Sequence, residues 1–171
     1  MQVSRNLLNE KCIWNSSPGD FYIPLFANLC TEYDNHTGKA STFYQAKKYS
    51  PQHFPIIAVN PSDPMLSPGD SFIKMKEQAK SRHYTFPYLY DAGQIITNLY
   101  GAKSTPHVFV ISKNAGNYTV EYTGAIDNDT QNNNPDKINY AEDAVSALLN
   151  NHKPAITVTR AIGCSISRKK I

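Results

Sequence analysis

Cysteine is scarce in this chain: 3 among 171 residues, beside 1 tryptophan. An odd count cannot close a disulfide framework, which excludes the small bridge-stapled secreted scaffolds and leaves free thiols, one transient pair, or plain packing. Charge is thin as well. Charged residues make up 18% and the net charge is +3. Part of that excess is Arg168-Lys169-Lys170, a solvated end without the basic and aromatic interleaving of a nucleic-acid surface, so no nucleic-acid partner is expected. No apolar run approaches the roughly 20 residues of a membrane span. The opening MQVSRNLLNEKC has no apolar signal core, so the expectation is a soluble chain with no signal peptide and no membrane span, its compartment left open. Glycine-rich phosphate loops, serine nucleophile elbows and paired-carboxylate motifs are missing too, and no cofactor is expected. Cys12, Cys164 and His107 are soft metal ligands by type, but no ligand spacing joins them, so no metal is expected either.

What is present reads as one globular domain. Hydrophobic residues at 40% are enough for a single core in a chain of this length. The organising stretch is residues 101–112, GAKSTPHVFVIS. A short loop carries Thr105-Pro106 into His107-Val-Phe-Val-Ile111, which is apolar, β-branched and aromatic like a buried strand. Proline has no amide hydrogen for a ladder, so it is tolerated at a strand's mouth, and X-Pro is also where a cis peptide is accessible.

The other elements follow from local pattern. Residues 3–8 form a weak strand ahead of Cys12-Ile13-Trp14. Ile23, Phe26, Leu29, Cys30 and Tyr33 recur at helical spacing and predict a helix over 21–33, capped by Asp20. On that stripe Cys30 reads as a small buried hydrophobe, with the alternative that it is itself the redox thiol. Residues 34–52 are polar and read as an insertion. A strand is expected over 55–59, a turn over 60–64, a helix over 70–82 and a strand at 88–90. Asp91 should cap a helix over 94–100 that Gly101 ends. A hairpin turn at 113–116 joins the proline strand to 117–123. The last helix, 138–151, is stopped by Pro154. The tail 155–171 returns apolar residues around Gly163-Cys164. A cysteine on a mobile tail can be carried to a distant thiol if the α-carbons come within about 7 Å; the other reading of Cys164 is a packing residue on an edge strand.

Five segments together resemble a known family. FPIIAVNPSD (54–63), FPYLYD (86–91), TPHVFV (105–110), TGAID (123–127) and AIGCSISR (161–168) occur in the order and spacing of thioredoxin-like redoxins, in the broad peroxiredoxin and thiol-specific-antioxidant group. The resemblance is closest over 54–168. It implies a single thioredoxin-like α/β domain over 1–171, with a central mixed β-sheet flanked by helices. It also implies that Pro106 is a cis-proline facing a reactive cysteine, and it assigns that role to Cys12, with Trp14 walling the pocket. Thr105 and Pro106 would hold an extended partner, and Cys164 would be the resolving thiol. Asn15 stands where thioredoxins carry their second cysteine, which excludes a local dithiol cycle. Asn9 and Arg5 replace the residues peroxiredoxins place before theirs. The implied function is a thiol-dependent oxidoreductase of antioxidant type, acting on a peroxide or on a protein or small-molecule disulfide, with an external thiol reductant. The alternative is a catalytically degenerate thioredoxin-fold module kept for binding or assembly.

Overall fold

The computed structural model describes residues 21–26, 48–52, 54–114, 117–129 and 133–168. Its elements, in chain order, are β1 (Phe21–Phe26), β2 (Ile56–Asn60), helix α1 (Phe72–Ser81), β3 (Tyr88–Tyr90), helix α2 (Ile95–Tyr100), β4 (Ser104–Thr105), β5 (His107–Asn114), β6 (Asn117–Gly124), helix α3 (Tyr140–Leu149) and β7 (Cys164–Ser165). The chain is mixed α/β.

One expectation is overturned at once. Residues 21–26 form a strand rather than the start of a helix. Pro24 gives the local reason: inside a helix its ring clashes with the preceding turn and removes a hydrogen bond, at about 3 kcal/mol or more. Phe21, Tyr22, Ile23 and Phe26 are meanwhile aromatic or β-branched strand formers. Long-range pairing completes the choice. β1 lies parallel to β2, with Ile23 opposite Ile56 and Phe26 opposite Val59, and antiparallel to β5, with Phe21 opposite Ser112 and Phe26 opposite His107.

β1 is thus the middle of a five-stranded sheet ordered β3-β2-β1-β5-β6. The strands β1, β2 and β3 run parallel, while β5 opposes β1 and β6 opposes β5 in a hairpin. Parallel neighbours need crossovers, and α1 supplies the one between β2 and β3. Period-two alternation sends side chains to two separate cores. Ile56, Ala58, Val108, Val110 and Tyr122 meet Ala141, Ala144, Val145 and Leu148 of α3 on one face. On the other, Ile57, Val59, Phe109 and Ile111 meet Ile96, Leu99 and Tyr100 of α2. All five residues of β2 are buried, as a strand covered on both faces must be.

Candidate functional site

Because β1, β2 and β3 run parallel, their carboxyl ends share one edge of the sheet, and β5 enters there in the opposite sense. The peptide before Pro106 is cis, and His107 immediately after it pairs with Phe26, the last residue of β1. The loops after β2 and β3 are built beside this edge. Buried Asn60 donates through Nδ2 to the Asp70 carbonyl at 2.8 Å and accepts from the Ser62 amide at 2.9 Å. Asp91 accepts from the amides of Ile96 and Thr97 at 3.0 and 2.7 Å and from the Thr97 hydroxyl at 2.6 Å. That carboxylate satisfies donors which the first turn of α2 would otherwise leave open.

Thr105, Pro106 and Cys164 come together. In the small antiparallel ladder of β4 and β7, Thr105 lies opposite Cys164 and Ser104 opposite Ser165. Cys164 is a free, exposed thiol. The fit is tight at its neighbour: a Cβ on Gly163, whose φ is +155°, would stand 2.1 Å from the Thr105 carbonyl oxygen and 3.0 Å from Pro106 Cδ. Only glycine allows that approach. Cys12, Trp14 and Cys30 lie outside the described residues.

The tail is not the mobile arm its composition suggests. Thr159 donates its amide to the Thr123 carbonyl at 3.0 Å, and Thr123 donates to Thr157 at 2.9 Å. Thr159 Oγ1 accepts from the Ala125 amide at 3.0 Å and meets the Tyr122 hydroxyl at 2.7 Å. Further on, Ile166 donates to the Lys103 carbonyl at 3.1 Å and joins the core on the α2 face. Gln94 Nε2 holds the Ser167 carbonyl at 2.7 Å and that of Pro61 at 2.9 Å. Arg168 reaches Asn98 and the Ala102 carbonyl. Cys164 is therefore fixed from both sides, beside Thr105.

Under this strap lies a cleft of about 990 Å³, lined in part by Phe109, Val120, His107, Lys103, Arg160 and Gly163. Gly163 and Ser165 line it and Cys164 does not, so strand alternation turns the thiol to the opposite side of β7. His107 is 8% exposed. Its Nδ1 accepts from the Lys103 amide at 3.2 Å. The neutral ring therefore carries its hydrogen on Nε2, which donates to Thr123 Oγ1 at 3.1 Å. Burial, then the charge of Lys103, lowers its pKa from 6.5 to about 4, so the imidazole is uncharged at neutral pH. In sequence His107 is only a residue of the proline strand; its contact with Thr123, 16 residues away, exists because the β5–β6 ladder brings the two together. The hydroxyls of Ser104 and Thr105 are buried without a hydrogen-bond partner among the described residues.

Among the described residues no three His, Cys, Asp or Glu side chains converge as metal ligands, and no helix is long and apolar enough to cross a membrane.

No family model matches the chain, and no curated protein matches it. Solved structures do. An uncharacterized conserved protein from Geobacillus kaustophilus is 27% identical, with 90% of this chain and 80% of that one covered, at a TM-score of 0.74. A hypothetical protein from Sinorhizobium meliloti 1021 is 24% identical over 87% of this chain and 80% of its own, at a TM-score of 0.70. A Neisseria meningitidis protein provisionally described as a thioredoxin overlaps 55% of this chain and 58% of its own, at 19% identity and a TM-score of 0.42, too partial an overlap to bear on the fold. The chain is thus similar in fold to two proteins whose descriptions assign no activity.

Proposed function

We propose that this chain is a thioredoxin-like thiol oxidoreductase whose reactive cysteine is Cys30, with Cys164 as its resolving partner. One observation carries the reading: Cys164 is held opposite Thr105, next to cis-Pro106, at the sheet edge where β1 ends. The strand order with β5 reversed and the helices packed on both faces support the thioredoxin-like assignment. The sequence resemblance pointed to Cys12. With residues 21–26 as the central strand, however, Cys12 precedes that strand by nine residues, whereas Cys30 follows Phe26 by four. Four residues reach at most about 14 Å. The tether from Phe26, the β1 residue paired with His107, is thus the shorter one for Cys30, and the choice of Cys30 over Cys12 rests on that chain length.

The chemistry runs in balanced steps. The Cys30 thiolate attacks a peroxide oxygen; the S–O bond forms, the O–O bond breaks, and the alcohol or water leaves after taking up a proton. The Cys164 thiolate then attacks the sulfenic sulfur, forming the S–S bond and expelling hydroxide, which leaves as water. An external dithiol restores both thiols by exchange and is itself oxidised to a disulfide. Thr105 and Pro106 shape the pocket wall; the place the resemblance gives Trp14, two residues after Cys12, goes with Cys12 and has no part in this reading.

A thiol that works this way is ionised below the ordinary cysteine range near 8.5. The test is the pH dependence of alkylation in three variants that each retain one cysteine. Cys30 is expected to react with iodoacetamide at pH 6 at least about tenfold faster than Cys12 or Cys164. Equal, slow labelling of all three would favour the second reading, a binding module without turnover. One observation speaks for that reading too: β7 already covers the Thr105 edge.

A further inference from the structure

A strand edge beside a reactive thiol is a natural dock for an extended polypeptide, which adds itself by backbone hydrogen bonds. Here that edge is β4, and its partner is the chain's own β7. Ile166 donates to the Lys103 carbonyl. Two residues along an antiparallel ladder the hydrogen-bonded pairing repeats, so Thr105 and Cys164 form the next such pair. The backbone groups of Thr105 that an incoming strand would use are consequently taken. Gly163 seals the position against the Thr105 carbonyl and the Pro106 ring. The strap is pinned upstream at Thr159 and downstream at Ile166, Ser167 and Arg168. It behaves as part of the wall.

We propose that β7 is a permanent internal occupant of the site's strand-docking edge, so that the site takes small oxidants, namely peroxides, and excludes disulfides presented on an extended polypeptide. This rests on the redox reading above and narrows its substrate class. Cys164 is then the one polypeptide thiol admitted, because it arrives on the strand that fills the edge.

The test compares two oxidants, hydrogen peroxide and insulin disulfides, with excess dithiothreitol as reductant for both. The wild-type chain should consume peroxide and leave insulin reduction at the dithiothreitol background. Gly163→Val, which drives a side chain into the Thr105 carbonyl, should free β7. The readouts are at least about tenfold faster hydrogen exchange at the Ile166 amide and insulin reduction rising clearly above background. Arg168→Ala loosens the same strap more gently and decides the matter if Gly163→Val does not fold. Insulin reduction by the wild type above background overturns the inference, as does a variant with faster Ile166 exchange and no gain on insulin. If peroxide turnover persists in those cases, the proposed function survives without this narrowing. If neither oxidant is turned over by any of the proteins, the proposed function itself falls and takes the inference with it.

Discussion

Cys30→Ser should abolish peroxide consumption, a loss on the order of 10³-fold, while Cys12→Ser should stay within about twofold of wild type. The size of the first effect follows from chemistry. A serine hydroxyl at this position is not ionised near neutral pH and cannot replace a thiolate as the nucleophile toward an O–O bond. The small size of the second follows from the proposal itself, in which Cys30 is the nucleophile, Cys164 resolves it, and Cys12 takes no part in turnover. Cys164→Ser is expected to fall between them. With excess dithiothreitol the sulfenic acid is resolved from outside, so turnover persists; with no reductant both proteins stop after one equivalent, the wild type as a disulfide and Cys164→Ser as a sulfenic acid. Peroxide disappearance followed for the three single variants and the wild type checks all of this. Normal turnover in Cys30→Ser with loss in Cys12→Ser would return the reactive role to Cys12.

The second large effect is a pH dependence of stability centred on His107. Unfolded, the imidazole binds its proton near 6.5; folded, it does so only near 4, chiefly because the ring is buried. Between those values the unfolded chain holds more protons, so stability is complete above pH 6.5 and is lost as the pH falls toward 4. At 1.36 kcal/mol per pH unit the loss is at most of order 3 kcal/mol, and the adjoining cleft, which admits water, reduces it. In His107→Gln the fall of the unfolding free energy from urea titrations over this window should be smaller by that amount, while at pH 7 the variant should be about 1 kcal/mol less stable for its lost hydrogen bond. Carboxylates titrate alike in both proteins, so the difference between the two curves isolates the imidazole. Parallel curves would show that His107 is solvated in the native state.

Local devices in the sequence predicted local structure well. The strand Tyr88–Tyr90 was expected at those residues. Asp91 receives the first amides of α2, and Gly101 ends that helix in a left-handed conformation. The strand after Pro106 runs on to Asn114 and returns from Asn117, as the hairpin pattern requires. Each of these depends on neighbours within a few residues. Residues 21–26 did not yield in the same way, because a short apolar run has no period that separates a buried strand from a helix face. Their state is set by partners at 56–59 and 107–112, far away in sequence. Pro24 is the local signal against a helix, which the helical spacing of Ile23 and Phe26 masks. β7 is harder still. It is two exposed residues long, and what positions it is the absence of a Cβ at Gly163 against a carbonyl 58 residues earlier.

The decisive property of the protein is which thiol Cys164 meets. Treating the reduced protein with one equivalent of hydrogen peroxide, then blocking the remaining thiols and mapping the peptides by mass, answers this directly. A Cys30–Cys164 disulfide with Cys12 left free is the predicted result. A Cys12–Cys164 disulfide, or three thiols still reduced in a folded protein, would contradict it.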